Sequence, residues 1–266
     1  MPGDKSISHR ALIFNAIAEG TAEISGLSEG ADVLSSAACL RALGAEVGPA
    51  RVVGGGLGGL RQAAGPLDCG NSGTTMRLLA GLLAGQPFGS ILVGDESLSR
   101  RPMGRVVAPL RLMGAHAEES PLRVGGAAPL HGIRYESPVA SAQVKSALLL
   151  AGLYAEGETV VVEPAPSRDH TELMLRAMGA DVESSGVSVR LRPGRPLKAL
   201  SLRVPGDLSA AAFWLVAGAL HGAASVRLPA VGVNQTRAGV LAVMERAGLP
   251  VRLESPRLEG REPVAD

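Results

Sequence analysis

Lys5-Ser6-Ile7-Ser8-His9-Arg10 sets a lysine, two hydroxyls and an arginine just ahead of an apolar run, Ala11 to Ala18, that reads as a helix. A helix opening at this point aims unpaired backbone N–H groups at the same spot as the two cations, which describes a site for phosphate or carboxylate. An equally simple reading makes Ser8 an ordinary N-cap and Lys5 and Arg10 solvated charges. Recurrence of the arrangement separates the two.

It does recur. A small or hydroxyl residue opens an apolar helix near Ser8, Thr74, Ser141 and Ser209, at intervals of 66, 67 and 68 residues, and such even spacing marks an internal repeat. In each unit a second helix closes on glycine, at Gly44, Gly114, Gly179 and Gly248, where a left-handed cap is expected. The residues that follow (Ala45 to Val47, Ala180 to Val182, Leu249 to Leu253) read as strand, and one hairpin turns near Ser184 to Gly186. The pattern predicts an α/β (α+β) chain of βαβαββ units, too small to own separate cores and packed by sharing helices against sheets. Arg203-Val204-Pro205-Gly206-Asp207 marks a crossing between the third and fourth units. This predicts one domain over 5–203 with three units and a second, incomplete domain over 204–266 with one.

Composition narrows the function classes. The 266 residues carry 26 Lys plus Arg against 25 Asp plus Glu, so no broad basic field points to nucleic acid or anionic membrane, and any important cation must be placed locally. The longest apolar stretches, Leu78 to Ala84 and Leu208 to Leu220, are too short to span a bilayer. With no leader pattern at the N-terminus, a cytoplasmic protein is expected. Cys39 and Cys69, the only cysteines, form no CxxC and are read as buried thiols. The glycines from Gly54 to Gly59 fit GxGxxG literally, but no long helix follows, so a hairpin turn is expected there rather than a dinucleotide site. The histidines lack metal-ligand spacing, and no Ser-His-Asp arrangement or Walker loop is present.

The polar residues gather at the helix openings of the first three units. Unit one offers Lys5, Ser6 and Arg10; unit two offers Asn71, Ser72, Thr74 and Arg77, with Gly70 and Gly73 admitting a ligand to the backbone; unit three offers Ser141, Gln143 and Lys145. If three such units share an axis, their helix N-termini converge on one multiply anionic ligand. Arg100 and Arg101 precede Pro102, which can start a helix, and one of the pair suits a bidentate carboxylate clamp. In Ser167-Arg168-Asp169-His170-Thr171-Glu172, Asp169 or Thr171 reads as a cap or, equally, the segment contacts ligand.

Six stretches together carry a family resemblance. They are Pro2-Gly3-Asp4-Lys5-Ser6-Ile7-Ser8-His9-Arg10, Gly70-Asn71-Ser72-Gly73-Thr74-Thr75-Met76-Arg77, Arg101-Pro102-Met103, Ser141-Ala142-Gln143-Val144-Lys145-Ser146-Ala147, Ser167-Arg168-Asp169-His170-Thr171-Glu172 and Val204-Pro205-Gly206-Asp207. In these the chain resembles the bacterial 5-enolpyruvylshikimate-3-phosphate synthases, the 3-phosphoshikimate 1-carboxyvinyltransferases. The resemblance implies an inside-out α/β barrel and transfer of the enolpyruvyl group of phosphoenolpyruvate to the 5-hydroxyl of shikimate 3-phosphate, on the route to aromatic amino acids. It implies no metal and no organic cofactor. It assigns Lys5, Ser6, Arg10, Ser141 and Gln143 to shikimate 3-phosphate, with Ser167 or Arg168 near the phosphate. Lys5, Asn71, Gly73, Arg101 and Gln143 fall to phosphoenolpyruvate, with Arg77 shaping the loop. Lys5 is the catalytic candidate, touching both substrates and moving a proton at the methylene carbon or the leaving phosphate. Gly73, where some glyphosate-tolerant members carry Ala, implies a sensitive pocket once that pocket is complete.

The chain also departs from the family. Family members have six units in two domains and this sequence holds four, so the acidic residue, the Lys-Glu pair, the two arginines and the further lysine of the last units are not among its residues. Gln235 stands where the family usually has Pro. The resemblance therefore predicts weak shikimate 3-phosphate binding with little or no turnover by this chain alone, or a non-catalytic half that awaits a complementing C-terminal polypeptide or associates with itself. The related enolpyruvyl transferase that uses UDP-N-acetylglucosamine differs at the opening Lys-Ser stretch.

Overall fold

The computed structural model describes residues 1–126 and 129–266. Nine helices are defined among these residues: α1 (Lys5–Ala16), α2 (Ala31–Ala42), α3 (Gly73–Ala84), α4 (Glu96–Ser99), α5 (Gly104–Leu112), α6 (Ala142–Gly152), α7 (His170–Ala177), α8 (Leu208–Leu220) and α9 (Gly239–Arg246). The repeat read from the sequence is present, with its helix openings shifted. Asp4, Ser72, Ser141 and Asp207 are the N-caps, and each accepts a backbone N–H of the first turn through its side chain. Ser141 is where the spacing puts it, whereas α1 starts ahead of Ser8. The Asp4 carboxylate takes the Ile7 N–H at 2.9 Å, which leaves Ser8 inside the helix, its hydroxyl donating back to the Asp4 carbonyl. Ahead of α5, Met103 rather than Pro102 forms the helix boundary.

The glycines that end the second helices, Gly44, Gly114, Gly179 and Gly248, all have positive φ, as the cap requires. Gly56, also at positive φ, turns the chain after strand Arg51–Gly55, and no helix follows. One strand expectation fails. Leu249 to Leu253 is irregular; Pro250 has no N–H to give a ladder, and the strand of that region lies later, at Arg257–Glu259.

Three four-stranded sheets share one topology. In the second sheet Leu67–Asp68 runs parallel to Gly89–Val93, which is antiparallel to Leu122–Gly125, itself antiparallel to Ala117–Glu119. The third repeats this with Arg134–Glu136, Thr159–Val162, Ser188–Arg192 and Asp181–Ser185. In the first, Glu19–Ser25, Arg51–Gly55 and Glu46–Val47 hold the corresponding places, but the leading parallel strand is Leu202–Arg203, from the far end of the third unit. Asn15 secures this closure, accepting from the Leu200 N–H at 2.8 Å and donating to the Leu200 carbonyl at 3.3 Å. The three units thus form a ring rather than a row.

Helices fill the centre of that ring. In α1, 10 of 12 residues are buried, in α3 11 of 12, and in α6 10 of 11; most are apolar, and the buried Ser8, His9, Arg10 and Asn15 of α1 are hydrogen-bonded. One continuous apolar core runs from Ile7 to Val204, and each fully buried leucine in it, such as Leu79 or Leu149, contributes about 1.5–3 kcal/mol. The fourth unit behaves differently. Its sheet has three strands, Val231–Gly232, Glu262–Ala265 and Arg257–Glu259, with Gly206 bridging Val231 in the leading position. Its helix α8 buries only Leu208 and Ala211, while Phe213, Trp214 and Leu220 are exposed.

The tightest approach at the centre is between α3 and α6, where a Cβ at Gly81 would lie 2.1 Å from the Ala147 carbonyl oxygen. In an exposed helix Gly→Ala is worth roughly 1 kcal/mol of added stability. Here the sign reverses: Gly81→Ala is expected to cost about 1–3 kcal/mol through overpacking, and a variant that is more stable to urea than the parent would refute the close packing.

Candidate functional site

The N-terminal ends of α1 and α6 meet the start of α3 and the segment before α7 at one cavity of ≈160 Å³, lined by Lys5, Ser6, Arg10, Thr74, Ala142, Gln143, Arg168 and His170. A larger cleft of ≈630 Å³ lies beside α8, lined mainly by apolar residues such as Leu208, Leu215 and Val231; it holds none of the sequence-predicted site residues. The small cavity holds the sequence-predicted cations Lys5, Arg10 and Arg168.

Arg10 lies beneath it, 2% exposed. Its guanidinium donates to the Ser6 carbonyl (2.9 Å), the Ser146 hydroxyl (2.7 Å) and the Thr171 hydroxyl (2.7 Å). Those partners are all neutral, and among the described residues no carboxylate lies within 4.0 Å of it. Burial, opposed by the more distant Glu172, lowers its pKa to about 10. Arg77 is placed similarly: it is buried, bonded to the Gly73 carbonyl and Gln143 Oε1, with its Nε lacking a partner. Burial and then the nearby Arg105 and Arg101 depress its pKa. Gln143 also donates to Thr74 Oγ1 at 2.8 Å, which ties the start of α6 to the start of α3.

Lys5 is half exposed and pairs with Asp32 of α2 at 2.9 Å. Ser6 Oγ accepts from Arg168 (3.1 Å) and from Arg237 (3.3 Å). Arg101 donates to Asn71 and Ser97, and Asn71 donates to Asp95, holding that carboxyl below its usual range. Gly73 sits between two guanidinium groups, since a Cβ there would lie 2.7 Å from Arg77 Nη1 and 3.4 Å from Arg101 Nη1. Asn71, Gly73 and Arg101 therefore connect to the cavity through Arg77 and Gln143. Arg100 instead pairs with Glu96 at the surface, whereas Arg101, also exposed, is held by Asn71 and Ser97.

Ser141 and Ser167 do not line the cavity. Ser141 caps α6, its own N–H going to Glu163 Oε1 at 2.7 Å, and the Ser167 hydroxyl donates to Glu163 Oε2 at 2.7 Å. Asp169 makes no capping bond and instead accepts from Asn234 and Thr236. Sequence reading missed Asp32, Glu163 and Arg237. Asp32 and Glu163 are single charged residues outside the quoted stretches, and Arg237, two positions after Gln235, reaches the two N-cap carboxylates Asp4 (3.4 Å) and Asp207 (3.1 Å) only in three dimensions. Cys39 and Cys69 are buried free thiols. Among the described residues no cluster of His, Cys, Asp or Glu could hold a metal ion, and no helix is long and apolar enough to cross a membrane.

A family model described as EPSP synthase (3-phosphoshikimate 1-carboxyvinyltransferase) matches residues 1–263. The 3-phosphoshikimate 1-carboxyvinyltransferase of Acidithiobacillus ferrooxidans is 54% identical over 275 residues, covering 100% of this chain and 63% of that protein. That of Alkalilimnicola ehrlichii is 52% identical and covers 100% and 62%. Among solved structures, an EPSP synthase from Acinetobacter baumannii superposes with a TM-score of 0.94 at 48% identity, covering 100% of this chain and 62% of that one. The chain thus spans about 63% of the length of the curated relatives it matches.

His9, next to Arg10, gives this region a pH signature. It is fully buried, with Nδ1 2.8 Å from Ser36 Oγ, and burial, with Arg10 next, pushes its pKa down to about 3. The unfolded chain takes up that proton near pH 6.5 and the native state does not, so stability falls as pH drops from about 6.5 toward 3. At pH 5 the loss is about 2 kcal/mol. His9→Gln is expected to shrink the pH 7 to pH 5 difference in urea-unfolding free energy by about that amount; an unchanged difference refutes the assignment.

Proposed function

We propose what this chain does from one premise: it belongs to the EPSP synthase (3-phosphoshikimate 1-carboxyvinyltransferase) family. It binds shikimate 3-phosphate and contributes part of the phosphoenolpyruvate subsite, for transfer of the enolpyruvyl group to the 5-hydroxyl with release of phosphate. The observation that carries this reading is Arg10, a buried guanidinium at a cavity wall whose protein partners are all neutral. A buried charge without a counter-ion is costly, and an anionic ligand in the cavity offsets that cost.

In this reading Ser6, Arg10, Ser141 and Gln143 hold shikimate 3-phosphate, with Ser167 or Arg168 near its phosphate. Lys5, Asn71, Gly73, Arg101 and Gln143 hold phosphoenolpyruvate. Bringing two polyanions together is mainly a matter of charge neutralisation and positioning. The 5-hydroxyl oxygen releases its proton and bonds to the enolpyruvyl C2 as a proton adds to the methylene carbon; the bond from C2 to the phosphate oxygen then breaks as the resulting methyl group gives up a proton, which re-forms the double bond and frees phosphate. Lys5, between the two substrates, supplies a proton at the methylene carbon or at the leaving phosphate. No metal or organic cofactor is required, and a cytoplasmic setting accompanies the pathway.

We read residues 5–203 as one domain and 204–266 as a unit of a second. The exposed apolar residues of α8, Phe213, Trp214 and Leu220, support a companion statement: full turnover needs a further polypeptide segment over that face, and without one the face favours self-association. Titration calorimetry of the 266-residue chain is expected to give weak but saturable binding of shikimate 3-phosphate, reduced about tenfold in Lys5→Met, the loss of one charge-assisted contact. Phosphate release from the two substrates is expected to be negligible until the remaining third of a relative is added as a separate polypeptide. Absence of binding refutes the function; rapid release by the chain alone refutes the dependence on a second segment.

A further inference from the structure

Glu163 is 3% exposed, yet three groups converge on its carboxylate. Oε1 accepts the backbone N–H of Ser141 at 2.7 Å, and Oε2 accepts the hydroxyl of Ser167 at 2.7 Å and lies 2.9 Å from Lys145 Nζ. Lys145 in turn contacts Glu172 Oε1 at 2.8 Å. All three charged side chains are out of water, and breaking such a group by removing one partner is costly. A fold that only needed packing would be served as well by apolar side chains of the same volume. What the carboxylate adds is geometry. One oxygen grips the cap of α6, whose first turn carries Gln143, and the other grips the residue before Arg168. Between Glu163 and Ser167 the chain is Pro164-Ala165-Pro166, which is stiff, so the Ser167 contact closes a short rigid arch.

We propose that Glu163 is a positioning residue that fixes the spacing between the α6 N-terminus and Arg168, and so sets the recognition of the phosphate group of a hydroxylated carbocyclic acid bound in the cavity. The proposal rests on the functional reading above, because it takes Arg168 and the α6 end to face that phosphate. Arg168 reaches Ser6 at 3.1 Å, so the arch controlled by Glu163 also sets one wall contact of the cavity. Glu163 itself does not line the cavity. Its effect passes through Ser141 and Ser167.

The test compares two ligands on the 266-residue chain, shikimate 3-phosphate and shikimate, which differ only in the phosphate. In Glu163→Gln the side-chain shape is kept and the carbonyl still accepts from Ser141, but the amide that replaces Oε2 cannot accept the Ser167 hydroxyl and turns N–H groups rather than a negative charge toward Lys145, which loosens the arch. Affinity for shikimate 3-phosphate is expected to fall at least tenfold while that for shikimate changes less than twofold. Equal weakening of both, the mark of a merely structural role, overturns the proposal, as does an unchanged preference. If thermal melting shows Glu163→Gln to be unfolded, Glu163→Asp decides. It keeps a charge for Lys145 and is one methylene too short to span both contacts, so at least a threefold loss of the preference is expected, and none overturns the proposal. A parent chain that shows no preference for the phosphate ester overturns the functional reading instead.

Discussion

Burial of the Arg10 guanidinium is the constraint on which the rest depends. Its donors reach the backbone of α1, a hydroxyl of α6 and a hydroxyl of α7, so it can be satisfied only when the first and third units have come together. A guanidinium without those acceptors would face the full desolvation cost of a charge in an apolar interior. The same side chain that demands a closed ring also forms a wall of the cavity at its centre. Architecture and ligand chemistry are thereby tied to one residue, and the apolar helices around it supply both the packing and the low dielectric that makes its charge strongly felt.

A second layer of control lies in how the other cations are held. Lys5 is tethered by Asp32, and Arg77 is turned toward Gln143 by the absence of a side chain at Gly73. Arg101 is bound to neutral oxygens of Asn71 and Ser97. Neutral partners orient a guanidinium without cancelling its charge, which suits side chains whose task is to meet an anion. Of the carboxylates nearby, Asp4 and Glu163 also grip backbone N–H groups of α1 and α6, and Asp207 pairs with Arg237.

The repeat and the helix-opening polar residues were legible in the sequence because both follow from local rules: an apolar run, a cap, and a glycine after the second helix. The α1 boundary was misplaced because two residue types competed for the cap, and Asp4, whose carboxylate reaches the Ile7 N–H, prevails over Ser8. Closure of the first sheet by Leu202–Arg203 had no local signal, since a two-residue strand carries no alternation to read. Leu249 to Leu253 looked like a strand by composition, but the sheet of the fourth unit runs through later residues. Glu163, Asp32 and Arg237 escaped notice for a shared reason: each acquires its role from a motif residue distant in sequence that only the fold brings to it.

Ring closure also has a consequence for the order of events at the ribosome. Glu23 and Ser201, which meet across the first sheet, are 178 positions apart in the chain. Until synthesis has passed that point, the outer edge of the Glu19–Ser25 strand has nothing to pair with, and contacts so distant in sequence form late. While the intervening residues are being made, the nascent polypeptide therefore carries a bare strand edge, the kind of surface on which a neighbouring chain can add.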